Sequence, residues 1–383
     1  MTDPVIILGS GLAGYAVARE LRKLDTQLPV TMLSADHGGF YSKPMLSNAL
    51  TTGKTADSIL NGDAEKMAAQ LNISIRPHCR VTGIDQSSHS ITLKNEEKLS
   101  YRQLVLALGA DQIRLPLQGS GVNEILTVND LDDYRDFRDA LVGKKQISII
   151  GAGLIGCEFA NDLAAAGFKV NVIDISAQPL GRLLPPAAGD FIQQKLEAVG
   201  VVFHFNATTQ SVDKDGECMR LTLAGGEIIE SDIVLSAVGL KPRIQLAQEA
   251  GLQVNRGIVV NQLLQTQAKD IFALGDCAEV KGKVLPFVMP ITHAGRALAA
   301  TLSGEPTPVH YPAMPVMVKT PACPTVVSPP DFNMSGEWLV QADQDGVRAL
   351  YQDESGNLLG YALLGSAVKE KMILTAQLPS VLE

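Results

Sequence analysis

Two glycine patterns of one kind stand in this chain of 383 residues, "GSGLAG" at 9–14 and "GAGLIGCE" at 151–158. In such a turn the first glycine permits a tight bend, the second lets backbone approach a pyrophosphate, and the third lets helix pack closely on strand. The helix that follows adds unpaired N–H groups and a partial positive charge. Gly9, Gly11 and Gly14, with Leu12 and Ala13 behind them, form one candidate phosphate cradle; Gly151, Gly153 and Gly156, with Leu154 and Ile155, form the other. Only the second copy places a carboxylate, Glu158, directly after the turn.

A carboxylate near the end of the next strand binds an adenosine ribose hydroxyl and repels a 2′-phosphate. Asp174 closes "VNVID" after the second turn, with no lysine or arginine following until Arg182, so that site should prefer NAD(H) to NADP(H). In the first copy Ser34 holds the strand-end place and Asp36 follows two residues later. The ribose contact there falls to Asp36, or to a serine hydroxyl with backbone, and both readings stay open. Two dinucleotide sites in one chain have a chemical use: one holds a resident flavin and the other a visiting nicotinamide.

The elements around these residues are legible from periodicity. "VIIL" at 5–8 is a buried strand, 12–24 has helical spacing, and "VTMLSA" at 30–35 completes a βαβ unit. "YSKPMLS" at 41–47 is a loop in which Pro44 keeps Lys43 extended. A helix near 62–71 precedes strands at 73–76, 80–85 and 89–94, and "LVLALGA" at 104–110 is a strand ending at glycine. After a helix near 130–142 the pattern restarts with a strand at 147–150, a helix at 154–166 and strands at 169–175 and 232–242. The repeat spans roughly 5–110 and 147–242, about 140 residues apart. Strands are expected within 258–275 and a helix at 291–303; from about 310 a proline-dense run leads to three strands, "EWLVQA", "GVRALYQ" and "LLGYALLG", and a final helix at 366–378. The fold class is therefore α/β: two Rossmann-like three-layer dinucleotide-binding domains plus a small α+β C-terminal domain.

Composition narrows the function. A net charge of −9 argues against a generally basic surface for nucleic acid or anionic membrane. The five cysteines, at 79, 157, 218, 277 and 323, form no CxxC pair or metal-ligand cluster, so a protein-borne dithiol or iron–sulfur centre is not expected, no metal site is expected, and a reducing, cytoplasmic setting is favoured. No apolar run reaches ~18 residues, which speaks against membrane insertion.

Taken together, "GSGLAG", "YSKPMLS", "GAGLIGCE", "AVGLKP" and "IFALGDCAEV" resemble the two-dinucleotide flavoprotein reductases related to glutathione reductase. Within that superfamily the lack of a CxxC and the run "PAMPVMVKTP" resemble the rubredoxin–NAD+ reductases. The resemblance implies an FAD domain from 1–108 and 244–307, an NAD domain from 109–243 between them, and a C-terminal domain from 310–383 near the flavin. It implies tightly bound FAD and NADH as co-substrate, with cofactor contacts at Lys43 and Pro44, Arg80 and Val81, Ala107 and Gly109, Gly239, Asp276 and Val288. Asp276 would meet the FAD ribitol, and "LPFVMPITHAG" would pass the isoalloxazine. His293 is read as a packing or phosphate-side residue. In related reductases a lysine beside flavin N5 pairs with the glutamate after the second turn; those places fall on Lys43 and Glu158, expected as the catalytic pair. Lys319 either snorkels or approaches the flavin's pyrimidine edge or the docking surface.

What the resemblance implies about the reaction is hydride transfer from NADH to FAD, then single electrons to rubredoxin, which docks transiently, with an alkane hydroxylase downstream and the reductase a monomer. The same motifs suit an NADH:ferredoxin reductase, and less well an NADH oxidase, because Ser42 stands where peroxide-reducing relatives keep a cysteine. An NADH-sensing flavoprotein is the non-enzyme alternative.

Overall fold

The computed structural model describes residues 3–331 and 333–383. Strand Val5–Leu8, buried at every position, is the centre of a five-stranded parallel sheet in the order Ile271–Ala273, Gln103–Leu106, Val5–Leu8, Val30–Leu33, Ser74–Arg76. An uninterrupted apolar run suits a strand covered on both faces. Helix Leu12–Leu24 turns Tyr15, Val17, Ala18 and Leu21 inward. It packs closely on helix Val288–Leu302 because Gly295 meets Ala16: a Cβ on Gly295 would come within 2.9 Å of the alanine Cβ. A three-stranded antiparallel sheet, Val81–Asp85, Ser90–Leu93 and Lys98–Ser100, adds Ile91 and Leu93 to the same core. The edge strand of the parallel sheet, Ile271–Ala273, pairs Phe272 with Val105 although the second glycine turn lies between them in sequence.

The intervening chain builds a second parallel sheet, Val201–His204, Lys169–Ile173, Gln146–Ile150, Ile233–Ser236, with helices Leu154–Ala165 and Pro186–Ala198 and an antiparallel sheet of Thr209–Asp215, Cys218–Leu223 and Ile228–Ser231. A short antiparallel ribbon, Ala110–Gln112 with Leu240–Pro242, carries the chain out of the first unit and back. The single strand read over 232–242 is thus two, Ile233–Ser236 and Leu240–Pro242, broken at Gly239, whose φ of +109° only glycine adopts readily.

The third unit is a five-stranded antiparallel sheet in the order Val316–Val318, Thr325–Ser328, Leu358–Gly365, Gly346–Gln352, Glu337–Ala342. Two of its strands, Val316–Val318 and Thr325–Ser328, come from the proline-dense run. Pro315, Pro321, Pro324 and Pro329 fall outside those strands, so no ladder donor is lost, and Val326 and Val327 are buried. The final helix is shorter than expected, a 3₁₀ turn over Ser366–Glu370 followed by helix Lys371–Thr375. Among the described residues no helix is long and apolar enough to cross a membrane, and no group of acidic, histidine or cysteine side chains could hold a metal ion.

Candidate active site

The two glycine turns divide their labour as steric reasoning demands. Gly9 and Gly151 take φ of +113° and +110°. A Cβ on Gly14 would lie 1.9 Å from the Gly9 carbonyl oxygen, and one on Gly156 would lie 1.9 Å from that of Gly151, so these third glycines serve helix packing and do not border the cleft. A Cβ on Gly11 or Gly153 would meet nothing within 4 Å, because both face open space. That space is one continuous cleft of about 2510 Å³ running from the first turn to the second. Its walls include Leu12, Ala13, Ser34, Asp36, Lys43, Pro44, Arg80, Val81, Ala107 and Gly109 on one side, and Leu154, Ile155, Asp174 and Gly239 on the other, with Asp276, Val288 and Lys319 also contributing.

Two carboxylates of the cleft wall are held by local hydrogen bonds. Asp36 Oδ1 accepts from the Ser34 hydroxyl, from Ser10 Oγ at 3.2 Å and from the Gly38 N–H at 2.9 Å. Burial raises the Asp36 pKa, but these donors outweigh it and the net shift is downward. The serine and the aspartate left open as ribose partners are therefore one hydrogen-bonded unit. In the second copy Asp174 accepts from the N–H groups of Ala152 and Ser176, which ties the carboxylate to the glycine turn.

Lys43 begins the 3₁₀ segment Lys43–Asn48, and its Nζ donates to Asn129 Oδ1 at 2.6 Å. Burial pulls its pKa down, opposed by the nearby Asp276 carboxylate. Asp276 shows the reverse: burial raises its pKa, with Lys43 and Arg243 opposing. Among the described residues no protein donor reaches the Asp276 carboxylate. A half-buried carboxylate without a partner at a cleft wall is suited to a polyhydroxylated ligand.

Glu158 is completely buried and does not border the cleft. The expected Lys43–Glu158 pair is absent. Glu158 Oε1 accepts from the Lys319 backbone N–H at 2.9 Å, and Oε2 accepts from the Lys319 ammonium and the Ser47 hydroxyl. A fully buried carboxylate needs a charged partner. Strand Val316–Val318 ends just where it can deliver one, whereas Lys43 is engaged by Asn129. Helix Leu154–Ala165 thus presents a polar seam: Glu158 grips the Lys43 segment and Lys319, Asn161 accepts from the Ala322 N–H at 3.0 Å, and Asp162 accepts from the N–H groups of Leu50 at 2.8 Å and Thr51 at 3.1 Å. Asn161 and Asp162 were findable as a polar pair inside the apolar run "FANDLAAA". Asn129 was hidden beside Asp130, which itself caps helix Leu131–Ala140. His293 lies on helix Val288–Leu302, where burial lowers its pKa; it does not border the cleft.

Two glycine-turn units sharing one cleft, with the second inserted between parts of the first and a third unit supplying the wall at Lys319, define a two-dinucleotide reductase fold. The Pyridine nucleotide-disulphide oxidoreductase family model matches residues 3–300, and the Rubredoxin binding C-terminal domain model matches residues 308–378. The rubredoxin-NAD(+) reductase of Alcanivorax borkumensis is 50% identical over 380 residues, covering 99% of each chain. That of Acinetobacter baylyi is 48% identical over 387 residues, covering 99% of this chain and 98% of its own. The chain belongs to the rubredoxin–NAD(+) reductase family. Among solved structures, the ferredoxin reductase for the CYP199A2 system from Rhodopseudomonas palustris is similar at a TM-score of 0.89 and 25% identity, covering 99% of this chain and 96% of that one.

Proposed function

We infer that the chain is an FAD-dependent NADH:rubredoxin oxidoreductase. The observation that carries this reading is the single cleft joining both glycine turns, bordered by Lys319 from the region that matches the rubredoxin-binding model. The open faces of Gly11 and Gly153 leave room for two pyrophosphates, and the unpartnered Asp276 carboxylate suits a ribityl chain.

Bound FAD would supply the conversion of a two-electron hydride donor into two single-electron transfers. The residues of the chain divide the remaining work. The N–H groups at the starts of helices Leu12–Leu24 and Leu154–Ala165 hold phosphate charge. Asp36 and Asp174 hold the adenosine riboses, and Asp174 disfavours a 2′-phosphate. Lys43 sets positive charge at the flavin, and Pro44, Arg80, Val81, Ala107, Gly109 and Val288 shape its bed. Glu158 acts from behind the wall, fixing Lys319 and Ser47. Each of the five cysteines is a free thiol.

The test is direct. Purified protein should show flavin absorbance that bleaches anaerobically with NADH much faster than with NADPH, and rubredoxin should reoxidise it faster than a [2Fe–2S] ferredoxin. A colourless protein that takes up no FAD overturns the reading. Faster reoxidation by ferredoxin replaces its last step.

A further inference from the structure

The partner that Lys43 has is not an ion-pair partner. Its Nζ donates to the side-chain carbonyl of Asn129, and among the described residues no carboxylate lies within ion-pair distance of it. The Asn129 amide is oriented by its own contacts: Nδ2 donates to the Ala110 carbonyl at 3.0 Å, and the backbone N–H donates to Asp133 Oδ2 at 2.8 Å. Flipping the amide would set NH₂ against the ammonium and its oxygen against a carbonyl, so only one orientation satisfies both neighbours. Asn129 lies just beyond Leu126, which bridges to Leu235 of the second sheet, while Ala110 opens the ribbon between the two glycine-turn units. The lysine of the first unit is therefore anchored to the inter-unit connection.

We propose that Asn129 is the positioning residue for Lys43, fixing its ammonium at the cleft wall through a neutral acceptor rather than as half of an ion pair. The proposal rests on the reading that Lys43 stands beside a bound flavin. A carboxylate at this place would hold the lysine more tightly but would cancel the charge offered to an anionic ligand; a neutral carbonyl holds it and leaves the charge intact. The other groups that face Lys43 are Asp276 in the turn Gly275–Cys277, Arg243 just after Leu240–Pro242, and Asp130 and Asp133 at the start of helix Leu131–Ala140. Arg243 is itself paired with Asp111 at 2.6 Å. Burial lowers the Lys43 pKa despite the three carboxylates, so its titration is sensitive to what its nearest acceptor is.

The experiment uses the holoenzyme labelled with ¹³C-lysine, with the Lys43 resonance identified by its loss in Lys43→Met. Its titration is followed in the wild type, in Asn129→Leu and in Asn129→Asp, and the flavin midpoint potential is measured in each variant. Both Asn129 substitutions lose the donor to Ala110, so their difference isolates the acceptor at the lysine. The Lys43 midpoint should fall in Asn129→Leu and rise in Asn129→Asp, the latter by about one unit or more. The flavin potential should drop in Asn129→Asp, as it should in Lys43→Met. A midpoint that stays put, or moves the same way in both variants, overturns the proposal, and Asn129→Asp read against wild type decides alone if the leucine variant does not fold. Opposite shifts with a potential that Lys43→Met leaves unchanged would keep Asn129 as the anchor and overturn the reading of Lys43 on which its role rests.

Discussion

Replacing Lys319 by methionine should destabilise the protein more than replacing Glu158 by glutamine, although both break the same ion pair. The asymmetry follows from exposure: the Glu158 side chain is 0% accessible and that of Lys319 is 27% accessible. Lys319→Met strands a carboxylate that cannot reach water, leaving it the backbone N–H at 319 and the Ser47 hydroxyl. Truncating one partner of a buried pair costs about 3–5 kcal/mol, and the two surviving donors place this case at the lower end, about 3 kcal/mol. Glu158→Gln leaves an ammonium that can turn to solvent and keeps a carbonyl to accept from one donor, exchanging a charge-assisted bond for a neutral one at a cost of about 1–1.5 kcal/mol. The double variant carries no stranded charge, so it should be more stable than Lys319→Met alone, with a coupling energy of about 2 kcal/mol. Urea unfolding followed by circular dichroism, on the four proteins at one pH and one salt concentration, measures the cycle. If Lys319→Met costs no more than Glu158→Gln, or if the two effects add, Glu158 is not held by Lys319 and the polar seam of helix Leu154–Ala165 is wrongly described.

Three further outcomes follow from the site. Asp174→Ala should narrow the preference for NADH over NADPH by ~10–100-fold in kcat/KM, the worth of about 1.5–3 kcal/mol for hydrogen bonds to a charged group; an unchanged ratio of the two specificities would count against this ribose assignment. Gly156→Ala should cost about 3 kcal/mol or more in stability, since its Cβ meets the Gly151 carbonyl oxygen at 1.9 Å, whereas Gly153→Ala should leave stability within about 1 kcal/mol and raise the KM for NADH; denaturation curves beside steady-state kinetics separate the two, and equal effects would refute the division of labour. The Asp36 carboxyl has a lowered pKa in the fold, so it contributes stability above its unfolded value of about 3.9, lost as pH falls through the folded one. Acid unfolding should therefore be shallower below about pH 4 in Asp36→Asn than in the wild type.

The local grammar of this chain was enough for its two glycine turns, the strands that enter them and the helices that leave them, because hydrophobic period and glycine sterics act over a few neighbouring residues. The place of Asp174 beside its glycine turn was legible for the same reason, since it lies at the end of the strand that follows the turn and its helix. Partner choice was not legible. Glu158 had two lysines to choose from, and Lys319, not Lys43, reaches it because a strand from the proline-dense run ends against helix Leu154–Ala165. What that strand pairs with was not legible, since its register against Thr325–Ser328 depends on segments brought together only in the folded sheet. Asn129 reads as part of a helix cap, and only the approach of the Lys43 segment to the inter-unit connection makes it a hydrogen-bond acceptor for an ammonium. Short-range sterics and periodicity are written in consecutive residues; which buried charge meets which is decided by distance across the packed units, a quantity no local pattern contains.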